Sequence, residues 1–167
     1  MLHHGMRIGG AVRRGRATQE VRSPYDGSVV GEVSVGGAAD MDDAIAAAAG
    51  AFEATRALPS HRRAEILTRV SAAVAARADE LARLMARESG KPIRFCRGEV
   101  ARGVITFQLG AGEAQRLGGE VMPIDLEPRA EGRLCLYQRV PRGPVAAISP
   151  FNFPLNLAAT GPRGTRW

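Results

Sequence analysis

Val140–Leu157 reads Val-Pro-Arg-Gly-Pro-Val-Ala-Ala-Ile-Ser-Pro-Phe-Asn-Phe-Pro-Leu-Asn-Leu. Within it Val145–Ile148 is apolar at every position rather than at alternate ones. That pattern suits a strand covered on both faces, as in a parallel sheet. Pro150 and Pro154 stop such a strand from simply continuing, because each fixes φ and lacks an N–H. Asn152 therefore sits on a stiff turn between prolines at the strand's C-terminal end, the edge where ligands bind in open α/β sheets. An amide there can donate a hydrogen bond without titrating. Asparagine between prolines also serves as a plain turn former.

Ser149-Pro150-Phe151-Asn152-Phe153-Pro154 resembles a signature of the aldehyde dehydrogenase superfamily. The resemblance implies a catalytic role for Asn152: its side-chain N–H would donate to the oxyanion of the thiohemiacetal formed at a catalytic cysteine. It also implies that Ser149, Pro150 and Phe151 line a bound nicotinamide cofactor, NAD or NADP. Losing one such donor typically costs about 3 kcal/mol of transition-state stabilisation. Two further segments are similar to the family, Ser23-Pro24-Tyr25-Asp26-Gly27 and Glu88-Ser89-Gly90-Lys91-Pro92. The second closes a helix pair there and has a structural role, so no catalysis is assigned to Glu88 or Lys91.

Composition sets the outer limits. A chain of 167 residues can bury about two-thirds of its unfolded surface as one domain. No apolar run approaches the ~20 residues of a membrane span. The net charge of +6 comes from 23 Lys+Arg against 17 Asp+Glu, and aromatics make up 5%. The arginines are spread through helical segments, mostly beside acids, which gives a solvated surface rather than a nucleic-acid face. Cys96 and Cys135 are too few and too far apart for a metal site or a disulfide framework. A reduced, cytoplasmic setting follows by default, and both read as packing residues. His3, His4 and His61 do not cluster with acids or cysteines, so no metal is expected.

Taken in order, Met1–Thr18 carries Arg7, Arg13, Arg14 and Arg16 with no acid. It lacks the apolar core of a secretory signal and reads as a disordered basic leader that extends over 1–22. Asp26-Gly27 supplies a tight reversal. Val29–Val35 then alternates as a half-buried strand, with Val29, Gly31, Val33 and Val35 on one face.

A helical block follows. Met41, Ala44, Ile45, Ala48 and Phe52 form an apolar face behind an acidic first turn of Asp40, Asp42 and Asp43. Ser60 is the expected N-cap of the next helix. Its stripe of Ile66, Leu67, Val70, Ala73 and Val74 shifts near Arg77 and resumes at Leu81, Leu84 and Met85. Gly90 suits the left-handed position that ends it. Gly90-Lys91 is not a phosphate loop, since Gly-x-x-x-x-Gly-Lys-Ser/Thr is lacking. Ile93, Cys96, Val100, Val104, Phe107, Ala111 and Ala114 define a long helix to about Leu117, which its glycines weaken by up to ~1 kcal/mol each. Gly110-Ala111-Gly112 lies inside this helix and is no dinucleotide fingerprint. Val121–Leu126 and Arg133–Val140 read as strands around a polar loop, and Pro123 marks a strand end.

The resemblance implies an α/β fold: a partial aldehyde-dehydrogenase-like cofactor domain. It would comprise N-terminal strands and an antiparallel helical block over 23–120, a β-hairpin arm over 121–140, and the first strand of an incomplete parallel sheet over 141–159. In the family such an arm pairs with a neighbouring subunit, which implies a homo-oligomer; an ordinary hairpin of the same domain is the alternative. The match fades after Ala159, and Thr160–Trp167 reads as an aberrant, helix-hostile tail. The family's nucleophilic cysteine, general-base glutamate and glycine-containing cofactor loop, and with them most of the cofactor site, have no counterpart here. The expectation is a truncated aldehyde dehydrogenase, whose family reaction takes a small aldehyde to a carboxylic acid, and which is inactive alone without stable cofactor binding. The alternative is a non-catalytic remnant or interaction module that docks on an intact subunit.

Overall fold

Asp26 and Gly27 begin the ordered architecture with local turn chemistry. The Asp26 carboxylate accepts hydrogen bonds from the Ser28 N–H at 3.1 Å and the Ser28 hydroxyl at 2.7 Å, and Gly27 adopts φ 72°. Those bonds from Ser28 hold the Asp26 carboxyl below its ordinary pKa. The turn joins β4 (Ala17–Arg22) to β5 (Val29–Val35) in antiparallel register, from Ala17 opposite Val35 to Arg22 opposite Val29. The register skips one residue of β5 at Val30, and this bulge turns Val30 and Gly31 inward together. The buried face is thus not the simple alternation of Val29, Val33 and Val35.

The computed structural model describes residues 3–164, with 162–164 described by backbone alone. It corrects the expected disordered leader. β1 (His3–His4) pairs in parallel with β5, and β2 (Met6–Ile8) pairs antiparallel with β3 (Ala11–Arg13). Gly9 and Gly10, at φ 58° and 83°, make the connecting turn. Ile8 is buried, and Arg13 forms an ion pair with Asp43. Short strands are held by backbone pairing and need no hydrophobic period, so composition alone misjudged them. Met1 and Leu2 lie outside the described residues.

The helical block is α1 (Ala38–Arg56), α2 (Ser60–Ala76), α3 (Ala78–Ser89) and α4 (Ile93–Arg116). The Asp40 carboxylate accepts the Gly37 N–H at 2.8 Å at the start of α1. Ser60 is not the N-cap of α2. Pro59 holds that position with φ −67° and ψ 157°, and its carbonyl accepts from the Arg62 and Arg63 N–H groups. The expected shift at Arg77 is a true break, with φ −108° between α2 and α3. Gly90 ends α3 at φ 69°, donating its N–H to the Ala86 carbonyl, as its sequence context requires.

α4 packs its small residues against α2, with Ala111 and Ala114 beside Ala64. The buried Ser71 hydroxyl donates to the Val104 carbonyl at 3.0 Å across that contact. A second cluster joins α3 to α4 through Ala82, Met85, Cys96 and Val100. Burial of side chains the size of Met85 and Val100 contributes about 1.5–3 kcal/mol each. Cys96 is fully buried there, in agreement with its reading as a packing residue. α1 stands apart, with Met41 and Ile45 about 60% exposed.

β6 (Gly119–Met122) and β7 (Cys135–Gln138) form the antiparallel hairpin, Met122 opposite Cys135. Both are shorter than expected, and β6 stops before Pro123. A 3-10 turn at Pro128–Ala130 fills the loop. Val145–Ile148 corrects the expected buried strand. It has no strand partner among the described residues, and Ile148 is 97% exposed. A parallel strand exists only through its neighbours' backbone groups, so the apolar run alone does not create one. The tail is also corrected: α5 (Pro154–Gly164) carries residues 160–164 as helix, while residues 165–167 lie outside the described ones. Tertiary anchoring at the start of α5 overrides the low propensity of its end.

Candidate functional site at the Asn152 turn

The site is built upward from Glu99 on α4. This residue shares the buried face that Cys96, Val100 and Gly103 form, and its side chain is 1% exposed. Its Oε1 accepts the backbone N–H of Leu155 at 3.0 Å and of Asn156 at 3.3 Å. These are orphan N–H groups of the first turn of α5, so an acid from another helix does the work of an N-cap. Gly103 faces Leu155 at this contact. A Cβ there would stand 3.4 Å from Leu155 Cδ2.

The other carboxylate oxygen of Glu99 lies 3.4 Å from Lys91 Nζ. Lys91 follows the left-handed turn at Gly90, which swings it back across the start of α4. Its ammonium donates to the Asn152 backbone carbonyl and lies 4.3 Å from the centre of the Phe153 ring, which Arg102 approaches at 5.5 Å. Thr106 donates to Asn156 Oδ1 at 3.3 Å. The backbone of the turn is therefore tied to Glu99 on both sides of Phe153, through Lys91 at Asn152 and directly at Leu155 and Asn156. The Asn152 carboxamide is exposed and has no hydrogen-bond partner among the described residues.

Electrostatics follow the same burial. The Glu88 carboxyl is pushed above its ordinary pKa by burial and then by the Glu99 charge. Burial pushes the Cys96 thiol up as well, outweighing the Lys91 charge. A raised thiol is the opposite of an activated nucleophile.

Ser149 and Pro150 lie on exposed irregular backbone, and Phe151 is 91% exposed beside Asn152. The four expected site residues thus share one open edge. The structure joins this edge to Lys91, from a segment read as merely structural. Glu99 is what sequence reasoning missed, although a signal was present: an acid in phase with the apolar positions Cys96 and Val100. No group of three or more potential metal ligands occurs among the described residues. None of their helices is long and apolar enough to cross a membrane.

Comparison with known proteins agrees with this architecture. An aldehyde-dehydrogenase-like protein of Sinorhizobium fredii is 44% identical over 139 residues, covering 83% of this chain and 27% of its own length. Aldehyde dehydrogenase 21 from Physcomitrella patens, solved with succinate, superposes with a TM-score of 0.89 at 37% identity, over 95% of this chain and 33% of that one. PnpE in complex with nicotinamide adenine dinucleotide gives 0.86 at 35% identity, over 98% and 34%. The chain thus spans about a third of the length of the proteins it matches. The model of the aldehyde dehydrogenase family matches residues 12–161, and with the α/β fold in agreement, the chain belongs to the aldehyde dehydrogenase family.

Proposed function

We propose that the chain supplies the oxyanion-donor corner of an NAD- or NADP-dependent aldehyde dehydrogenase, which takes a small aldehyde to a carboxylic acid through a cysteine thiohemiacetal and a thioester. One observation carries the reading. The Asn152 carboxamide is exposed and unengaged on a turn whose backbone is fixed to a buried acid. An amide donor carried on a backbone fixed in this way can stabilise an oxyanion when a carbonyl is attacked beside it. Ser149, Pro150 and Phe151 would face the cofactor beside it.

By itself the chain oxidises no aldehyde. Cys96 is buried with a raised thiol pKa, and Cys135 lies in the hairpin with no base bonded to it among the described residues. Cofactor and ligand sites bury most of their ligand. Ser149–Asn152 form a single open wall, so these residues alone do not fit a stably bound nicotinamide cofactor. The hairpin β6/β7, with Val121 and Leu136 exposed at 68% and 65%, is the proposed arm for pairing with a second subunit. The same exposed residues favour the non-catalytic reading, in which the chain docks on an intact homologous subunit.

The test joins this chain in frame to the remaining two-thirds of a matched relative and assays NAD(P)-linked aldehyde oxidation. Turnover is expected from the joined polypeptide and none from the chain alone. Asn152→Ala should lower kcat of the joined form about 10²-fold or more; unchanged kcat would sink the oxyanion role.

A further inference from the structure

The α5 helix starts after Phe153, an apolar residue that cannot cap it, and right behind Asn152, whose side-chain type is among the best caps known. The chain does not use that amide. The Leu155 and Asn156 N–H groups, which a cap side chain ordinarily satisfies, go instead to Glu99 Oε1, 56 and 57 residues earlier in sequence. Burying an ionised acid for this is costly unless it is paired and hydrogen-bonded. Lys91 pairs with it and, with the same ammonium, holds the Asn152 carbonyl.

We infer that Glu99, acting through Lys91, is a positioning residue for Asn152: it takes over the capping that Phe153 at the N-cap cannot perform and fixes the turn, leaving the carboxamide free of local hydrogen bonds. This rests on the oxyanion reading of Asn152 given above. One carboxylate thereby serves two tasks on opposite sides of Phe153. Oε1 anchors the helix that follows the turn, and Oε2 anchors the ammonium that grips the turn itself. Between them the Phe153 ring is approached by Lys91 and Arg102 and remains 41% exposed.

The test uses isotope-labelled full chain in solution and involves no substrate, so it can fail independently of the oxyanion role, which the joined polypeptide reads. In the wild-type chain the Lys91 ammonium should give a slowly exchanging signal with a through-bond correlation to the Asn152 carbonyl. Glu99→Ala should speed amide exchange at Leu155 and Asn156 about tenfold or more, the equivalent of losing a charged hydrogen bond. Lys91→Met should leave those amides protected yet shift the Asn152 carbonyl and carboxamide signals, and Lys91→Arg should restore them. A purely structural Glu99 would disturb Leu155 and Asn156 without moving Asn152. Unmoved Asn152 signals in folded Lys91→Met and Glu99→Gln chains would overturn the inference. Should neither variant fold, the wild-type spectrum decides: a freely exchanging Lys91 ammonium without the correlation overturns it equally.

Discussion

The Lys91 ammonium donates a hydrogen bond to the Asn152 backbone carbonyl across 61 residues of sequence. Two motifs that read separately in the chain are therefore one structure. Lys91→Met leaves Glu99 buried without its counter-charge. The expected destabilisation is about 3–5 kcal/mol, with Lys91→Arg well below that. Urea unfolding with an unchanged m-value measures it, and a loss under about 1 kcal/mol, on the order of an exposed ion pair, would show that the pair carries no stability.

Asn152→Ala separates function from fold. The side chain is exposed, so unfolding free energy should move by no more than about 0.5 kcal/mol. A larger loss by chemical denaturation would mean that the amide is holding the turn together after all.

Two glycines should respond in opposite directions. Gly90→Ala must adopt a left-handed φ of 69°, and its Cβ would meet Pro24 Cγ at 2.8 Å. A loss of about 1–2 kcal/mol is expected from the backbone term, with the clash added. Gly98 lies on the exposed side of α4 with nothing within 4 Å of an added Cβ, so Gly98→Ala should gain about 0.5–1 kcal/mol. Thermal melts of the two variants are compared with the parent.

Glu88 sets a pH dependence. Its folded pKa is raised from 4.5 by burial and by Glu99, so the folded state holds its proton more tightly than the unfolded state. Stability then falls as pH rises from 4.5 through the raised folded value. Glu88→Gln should be more stable than the parent at neutral pH, and the gain should vanish below pH 4.5. Denaturation midpoints across that range check the sign; a gain that persists into acid would refute it.

Association should follow from the uncovered segment. Ile148 and Phe151 are 97% and 91% exposed, close enough in sequence to form one apolar patch. The isolated chain should self-associate as concentration rises, and Ile148→Lys should weaken this without lowering the melting temperature. Light scattering with an unchanged mass for the variant would locate the contact elsewhere.

Locally encoded features were the legible ones. The Asp26-Gly27 reversal, the limits of Val29–Val35 and the end of α3 at Gly90 each depend on a few adjacent residues. The helical periods were legible because α2, α3 and α4 bury one face. Three features are set by partners instead. The strands β1, β2 and β3 are too short to alternate, Val145–Ile148 has an apolar run but no neighbour among the described residues, and α5 is capped by a distant residue. At the proposed site, the prolines around Asn152 mark its turn in the sequence, whereas Glu99 is one of two acids in α4 and nothing adjacent to it announces a partner at the turn. Its phase with the buried positions of α4 is the one local sign, and its partners lie 56 and 57 residues further on.

The Glu99 cap also imposes an order on folding. α5 contains Gly161 and Pro162, which disfavour a helix on their own, and its first N–H groups are satisfied by a residue 56 positions upstream, so this element is expected to become stable only after α4 has formed. On the ribosome, where N-terminal parts emerge and fold first, α4 would thus be waiting as a template when Asn152 leaves the exit tunnel. The Asn152 turn would then be cast against a finished surface instead of shaping itself.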